Sequence, residues 1–202
     1  MNDKYFIEQI FSAPIYNSKV DIDLKPYLNI SLKEKQIPNN SKLLGSLGSK
    51  ETSVLDKKQF KNLKNEILRH VNIYAKDILE YSNDFKITTS WLTFVDPNSS
   101  SHLHRHRNSV FSGIVYFQAD KNSGDLVFED KRIGDFHLNR KNYNILNSEL
   151  WFYKPFNNKI VIFPSHLFHM IDTNNSNIKR ISLAFNVVPS GTFGGGDSKL
   201  TI

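Results

Sequence analysis

The sequence predicts a mainly β protein with one flanking helix. Three observations carry this prediction. Short runs rich in β-branched and aromatic residues, broken by turn signals, recur from about residue 86 to 189. One apolar stripe of helical period precedes them, at Phe60, Leu63, Ile67, Val71, Tyr74 and Ile78. Histidines stand at the alternate positions 102, 104 and 106. Alternate residues share a face on a strand but not on a helix, so these three ask for an extended backbone.

The 202 residues suffice for one domain with a substantial core. Residues 1–55 read as an N-terminal strand and loop region. Tyr5 to Phe11 suggests a short strand, and a second extended piece lies near Ile15 and Tyr16. Asp21 to Lys50 mixes Pro26, Pro38, Asn39, Asn40, Gly45 and Gly48 with little periodicity, which predicts a loop and a candidate flap. Residues 56–81 form the buttressing helix. Asp56 with Gln59 three positions on resembles a capping box, and the stripe that follows is a core-facing face.

Residues 86–189 form the β core. Expected strands are Ile87 to Val95, Val110 to Phe117, Leu126 to Glu129, Trp151 to Lys154, Ile160 to Phe163, His169 to Asp172 and Arg180 to Val188. Ile133 to Glu149 is polar and reads as a loop. Residues 190–202, with Gly194, Gly195 and Gly196, form a Gly-rich, irregular tail.

Two imidazoles at i and i+2 of a strand can converge on one ion, each ring nitrogen about 2.0–2.1 Å from it. His102, His104 and His106 share that face, and their spacing alone does not decide which two act. A third ligand is needed, and His169 is the best candidate, in Phe163-Pro164-Ser165-His166-Leu167-Phe168-His169. His166, three residues earlier, faces away on an extended segment. Arg180-Ile181-Ser182 follows and opens the last strand. Many short strands around such a metal set favour a double-stranded β-helix, the cupin-like jelly roll.

These motifs, in this order, resemble those of the 2-oxoglutarate and Fe(II)-dependent oxygenases. They are most similar to a branch that reads His-x-His-x-Asn-Ser, Ser-Gly-x-x-Tyr, Phe-Pro-Ser-x-x-x-His and Arg-x-Ser-x-x-Phe-Asn. The matching stretches are His104 to Ser109, Ser112 to Tyr116, Phe163 to His169 and Arg180 to Asn186, spanning about residues 85–189. The resemblance implies the same jelly roll, with Fe(II) as cofactor, 2-oxoglutarate as co-substrate and O₂ as oxidant. It implies a dioxygenase, most simply a hydroxylase, that couples decarboxylation of 2-oxoglutarate to oxidation of a small-molecule or peptide substrate. It further implies metal ligation by His104, His106 and His169. Arg180, Ser182 and Tyr116 would then hold the distal carboxylate of 2-oxoglutarate, Arg180 through its always-charged fork. Asn108 and Trp91 would line the substrate side.

The chain departs from most of these oxygenases at one point. Their third ligand is an Asp or Glu two residues after the first histidine, and His106 occupies that place. Three histidines also make a catalytic zinc site. A cupin-type zinc or other divalent-metal enzyme, or a non-catalytic metal-binding jelly roll, therefore stands beside the oxygenase reading. A carboxylate such as Asp130 or Glu129 is the alternative third ligand.

There is no cysteine, which excludes disulfides, thiolate ligands and a Cys nucleophile. The net charge of +6 reads as a Lys-rich solvated surface more readily than as a nucleic-acid site, because no dense basic run occurs. No apolar run approaches the ~20 residues of a membrane span. The expectation is a soluble, cytoplasmic protein.

Overall fold

The structure, a computed structural model, describes residues 6–38, 44–131 and 138–202. Tyr5, Asn39, Asn40 and residues 133–137 of the expected segments lie outside the described residues.

Two β-sheets face each other, and a helix covers the outside of the larger one. The large sheet has seven strands. They are β1 (Tyr16–Lys19), β2 (Gln36–Pro38), β3 (Ser46–Ser49), β4 (Asp84–Val95), β5 (Phe111–Gln118), β8 (Lys159–Pro164) and β10 (Arg180–Ser190), in the order β1-β8-β5-β10-β4-β3-β2. The small sheet is β7 (Leu150–Tyr153), β6 (Leu126–Glu129) and β9 (Phe168–Ile171), in that order, and every pairing is antiparallel. His104 pairs with His169 as an isolated bridge, extending the small sheet by a fourth member. This is a double-stranded β-helix.

The larger core lies between the large sheet and α2 (Lys61–Asn72). Leu63, Ile67, Val71 and Tyr74 meet Leu92, Phe94, Val115, Ile162, Leu183 and Phe185 there. Full burial of each such side chain contributes about 1.5–3 kcal/mol. The second core lies between the sheets and contains Ile114, Tyr116, Leu126, Phe128, Val161 and Phe163. Gly113 permits close packing of β5 on β10, since a Cβ there would stand 2.2 Å from the ring tip of Phe185.

Several sequence expectations need correction. No strand forms over residues 6–11, where Phe11 has φ 55° and cannot continue an extended chain. The segment from Asp21 to Lys50 is not all loop. It contains α1 (Lys25–Ser31), β2 and β3. Tyr27 packs on Phe60 at 5.4 Å and Phe117 at 6.3 Å, so tertiary burial supplies what the local sequence lacks.

Asp56 does not cap α2. It sits in a 3₁₀ turn (Val54–Asp56) and pairs with Lys64 Nζ at 2.6 Å. Extended Lys57 and a second 3₁₀ turn (Lys58–Phe60) separate it from the helix. The last turns (Ile73–Ile78) are π-helical, with Leu79 N–H donating to the Tyr74 carbonyl at 3.0 Å. The extra residue per turn rotates Ile78 off the stripe to 55% exposure and brings Ala75 into the core. The tail is not wholly irregular either, because β11 (Thr192–Phe193) and β12 (Leu200–Thr201) form a short hairpin. Among the described residues no helix is long and apolar enough to cross a membrane.

Candidate active site

Strand pairing builds the site. His104 and His169 oppose each other and exchange N–H···O bonds of 2.9 and 2.8 Å. Directly opposed residues project to one face, and the two ring centroids lie 4.4 Å apart. His106 returns to that face two residues on. Its ring lies 5.2 Å from that of His104, and 5.1 Å from that of His169 at an interplanar angle of 8°. One ligating atom from each of the three lies within 4.8 Å of the others. Among the described residues this is the one such group of His, Cys, Asp or Glu side chains.

The protonation chemistry suits a metal. His104 Nδ1 and His169 Nδ1 lie 2.9 Å from the carbonyls of His102 and Leu167. A carbonyl only accepts, so each Nδ1 carries the proton and each Nε2 presents a lone pair. Burial pushes the His169 imidazole down to about 3, helped by the neighbouring His104. Burial pushes His106 down to about 4 and lowers His104 as well. All three are neutral near pH 7, the form that ligates metal.

A cleft of about 540 Å³, measured to its open mouth, adjoins the triad. Trp91, Thr93, Ile114, Phe163 and Ala184 line it. The inner face of β10 continues past it. Ser182 pairs with Thr93 on β4 and Tyr116 on β5, and Arg180 follows two residues earlier. Arg180 is fully buried, and its Nη2 donates to the Tyr116 hydroxyl at 3.1 Å over the ring of that residue. Among the described residues, Arg180 Nε and Nη1 and the buried Ser182 hydroxyl have no hydrogen-bond partner. A buried cation with free donors is costly unless an anion meets it. Burial raises the Tyr116 hydroxyl, against the nearby guanidinium, so it stays protonated as a donor.

A family described as "Putative 2OG-Fe(II) oxygenase" matches residues 89–186, the stretch that holds every one of these groups. Over that stretch, just under half of its length, the chain matches the 2-oxoglutarate and Fe(II)-dependent oxygenases. It is a dioxygenase with Fe(II) as cofactor and 2-oxoglutarate as co-substrate. Solved structures of low sequence identity share the fold. HygX from Streptomyces hygroscopicus, with nickel, 2-oxoglutarate and hygromycin B bound, is 9% identical with a TM-score of 0.63, over 88% of this chain and 83% of that one. A Pseudomonas putida prolyl-4-hydroxylase is 11% identical with a TM-score of 0.62, over 89% and 95%. SnoN, a non-heme α-ketoglutarate-dependent epimerase from nogalamycin biosynthesis, is 9% identical with a TM-score of 0.66, over 90% and 79%. No curated protein sequence matches the chain.

The residues present fit both groups of this oxygenase. Three neutral imidazoles are acceptable donors to Fe(II), and the free donors of Arg180 and Ser182 suit a carboxylate. Glu129 faces away from the triad, since it pairs with Phe168 while its neighbour Phe128 pairs with His169, and it is bonded to Lys131. Asp130 follows the end of β6 and is not part of the histidine group. His102 lies outside the group too, its ring 4.9 Å from that of His104. His166 is exposed in a turn.

Sequence reasoning did not reach three features. Trp91 stacks on His106 at 5.5 Å and 27°. Phe163 packs edge-on against His169 at 4.7 Å. Asn186 joins Ser112, Ser165 and Thr89 in one hydrogen-bonded row. The alternation Arg180, Ser182, Ala184, Asn186 on β10 was the available signal for that last group.

Proposed function

We propose that this oxygenase is a hydroxylase acting on a small-molecule or peptide substrate. In this reading His104, His106 and His169 hold the metal, and Arg180, Ser182 and Tyr116 hold the distal carboxylate of 2-oxoglutarate. The observation that carries it is the buried Arg180 with Nε and Nη1 unpartnered, beside an unpartnered Ser182 hydroxyl. These donors share a strand face with the cleft-lining Ala184, which supports reading them as the far end of the co-substrate's seat. HygX with nickel and 2-oxoglutarate bound supports the same pairing of metal and co-substrate within this fold.

Bound at the triad, iron supplies the redox chemistry that couples 2-oxoglutarate decarboxylation to substrate oxidation. The protein's part is placement. Arg180 neutralises the distal carboxylate and orients it through two N–H donors. Tyr116 and Ser182 complete that contact with hydroxyls, and the apolar walls of Ile114 and Phe163 exclude water from the cleft. Trp91, beside His106 at the cleft, offers a flat apolar surface to the substrate.

Purified protein loaded with Fe(II) should convert 2-oxoglutarate to succinate, and the rate should rise with the right substrate in a library screen. Arg180→Lys keeps the charge and loses the fork, so 2-oxoglutarate should bind at least tenfold more weakly with metal content intact. An unchanged dissociation constant would remove Arg180 from the site. His106→Ala should lose most bound iron, whereas His106→Asp should retain it. Retention in His106→Ala together with loss in Asp130→Ala would move the third ligand to Asp130. Fe(II)-loaded protein that never forms succinate from 2-oxoglutarate would overturn the hydroxylase reading, and zinc retained through purification would then favour the divalent-metal alternative.

A further inference from the structure

His106 is held differently from its two neighbours. His104 and His169 each anchor Nδ1 on a main-chain carbonyl two residues back. Among the described residues the ring of His106 makes no hydrogen bond. Its place is set by the stack on Trp91 and by one main-chain bond, from its N–H to the Ser165 carbonyl at 3.0 Å. Where Ser165 stands therefore decides where His106 stands.

Ser165 is fully buried and held from two further sides. Its N–H donates to the Val110 carbonyl at 3.0 Å, and its hydroxyl lies 2.8 Å from that of Ser112. The single hydroxyl proton of Ser112 goes to Asn186 Oδ1 at 2.7 Å, so Ser165 is the donor in the serine pair. Asn186 Nδ2 donates onward to Thr89 Oγ1 at 3.0 Å. The chain thus runs Ser165, Ser112, Asn186, Thr89, with donors and acceptors alternating correctly. It crosses β5, β10 and β4 on the inner face, one rung beyond the cleft-lining pair Ala184 and Trp91.

We propose that Asn186, Ser112 and Ser165 are positioning residues for His106. Their hydrogen bonds tie the turn before β9 to the large sheet and so aim the triad imidazole whose ring makes no hydrogen bond among the described residues. The inference rests on the assignment of the triad as the metal site. It predicts that metal affinity and ligand-field geometry respond to Asn186, although Asn186 is not a ligand.

Co(II) is the probe, titrated into the full chain and followed by its visible absorption bands. Wild type should bind one Co(II) per chain. Asn186→Leu and Ser112→Ala should each weaken binding about tenfold, the scale on which outer-shell partners act. At saturating Co(II) their bands should be shifted from those of wild type, which a loss of stability alone would not produce. Asn186→Asp should return both readouts to near wild type. One carboxylate oxygen still accepts from Ser112, and the other accepts from the Thr89 hydroxyl. If Asn186→Leu does not fold, the smaller Ser112→Ala carries the test. Unchanged affinity and unchanged bands in the folded variants would overturn the proposal. Absence of Co(II) binding in wild type, or its survival in His169→Ala, would instead remove the metal site itself and the proposal with it.

Discussion

β10 has two faces, and they solve opposite problems. Ile181, Leu183, Phe185 and Val187 point at α2 and are fully covered. Arg180, Ser182, Ala184 and Asn186 alternate with them and point between the sheets. On the first face every contact is apolar and contributes to folding. On the second, Arg180 is just as inaccessible yet keeps two nitrogens without a hydrogen bond among the described residues. The difference teaches that burial alone does not identify a core residue. A face whose polar atoms are left unmatched is reserved for a ligand, at some cost to the stability of the empty fold.

The two faces should therefore respond in opposite directions. The largest effect is expected on the helix side. Phe185→Ala removes a fully buried ring and should destabilise by about 3–5 kcal/mol in urea unfolding. A loss below about 1 kcal/mol would mean that this face is not the load-carrying core. On the cavity side, Arg180→Met replaces an unmatched cation with an apolar chain of similar length. The ligand-free protein should be unchanged or stabilised by about 1–4 kcal/mol. The same variant should lose the rise in melting temperature that 2-oxoglutarate gives the metal-loaded wild type. A large destabilisation of ligand-free Arg180→Met would place Arg180 among the structural residues.

How far the sequence disclosed these faces depends on the range of the interactions that set them. The strands of the β core were legible because runs such as Ile160 to Phe163 carry their propensity locally. The alternation on β10 is also written in the chain, from Arg180 to Asn186. α1 was not legible, because Pro26, Asn29 and Ser31 look like a loop until Tyr27 finds Phe60 and Phe117. The π-helical end of α2 was hidden for a similar reason, since a helical stripe cannot announce an extra residue in a turn. In the candidate site, the residue types and their order could be read from the chain. The bridge from His104 to His169 joins residues far apart in sequence, and the row through Asn186 and Ser112 depends on strand register. Neither follows from spacing alone.

Gly113 tests how tightly the two faces are coupled. Its missing Cβ leaves room for the Phe185 ring, whose nearest carbon would stand 2.2 Å away from an alanine methyl. The ring is enclosed by core residues and cannot simply swing aside. Gly113→Ala should therefore cost about 1–3 kcal/mol through overpacking. It should also displace β5 and so disturb the cleft, where Gly113 lies among the lining residues. Unfolding midpoints measured beside 2-oxoglutarate affinity separate the outcomes. Loss of stability with unaltered affinity would show that the large sheet insulates its two faces.

The smallest expected effect lies on the outer surface of α2, beyond the helix-side core. Glu66 accepts two hydrogen bonds from Arg69 and one from the Asp21 N–H. The side-chain bonds of Arg69 hold the Glu66 carboxyl down at about 2, against the opposing pull of burial. Beside it, burial lowers the His70 imidazole, whose Nδ1 is bonded to the Tyr16 hydroxyl at 2.7 Å. Both groups have folded-state values below their ordinary ones, so the unfolded chain binds their protons first as pH falls. His70 begins to withdraw stability below its ordinary value of 6.5. Glu66 contributes fully above 4.5, and its contribution is lost as pH falls from there towards 2. Arg69 is nearly half exposed and screened by solvent, so the Glu66 part amounts to about 1 kcal/mol. Glu66→Gln should flatten stability against pH between about 4.5 and 2 and leave the decline nearer 6 in place. Urea midpoints collected across that range would show it. Since Glu66 lies on the far side of the large sheet, 2-oxoglutarate affinity at pH 7 should not move, and a change there would mean that the helix and the cavity communicate.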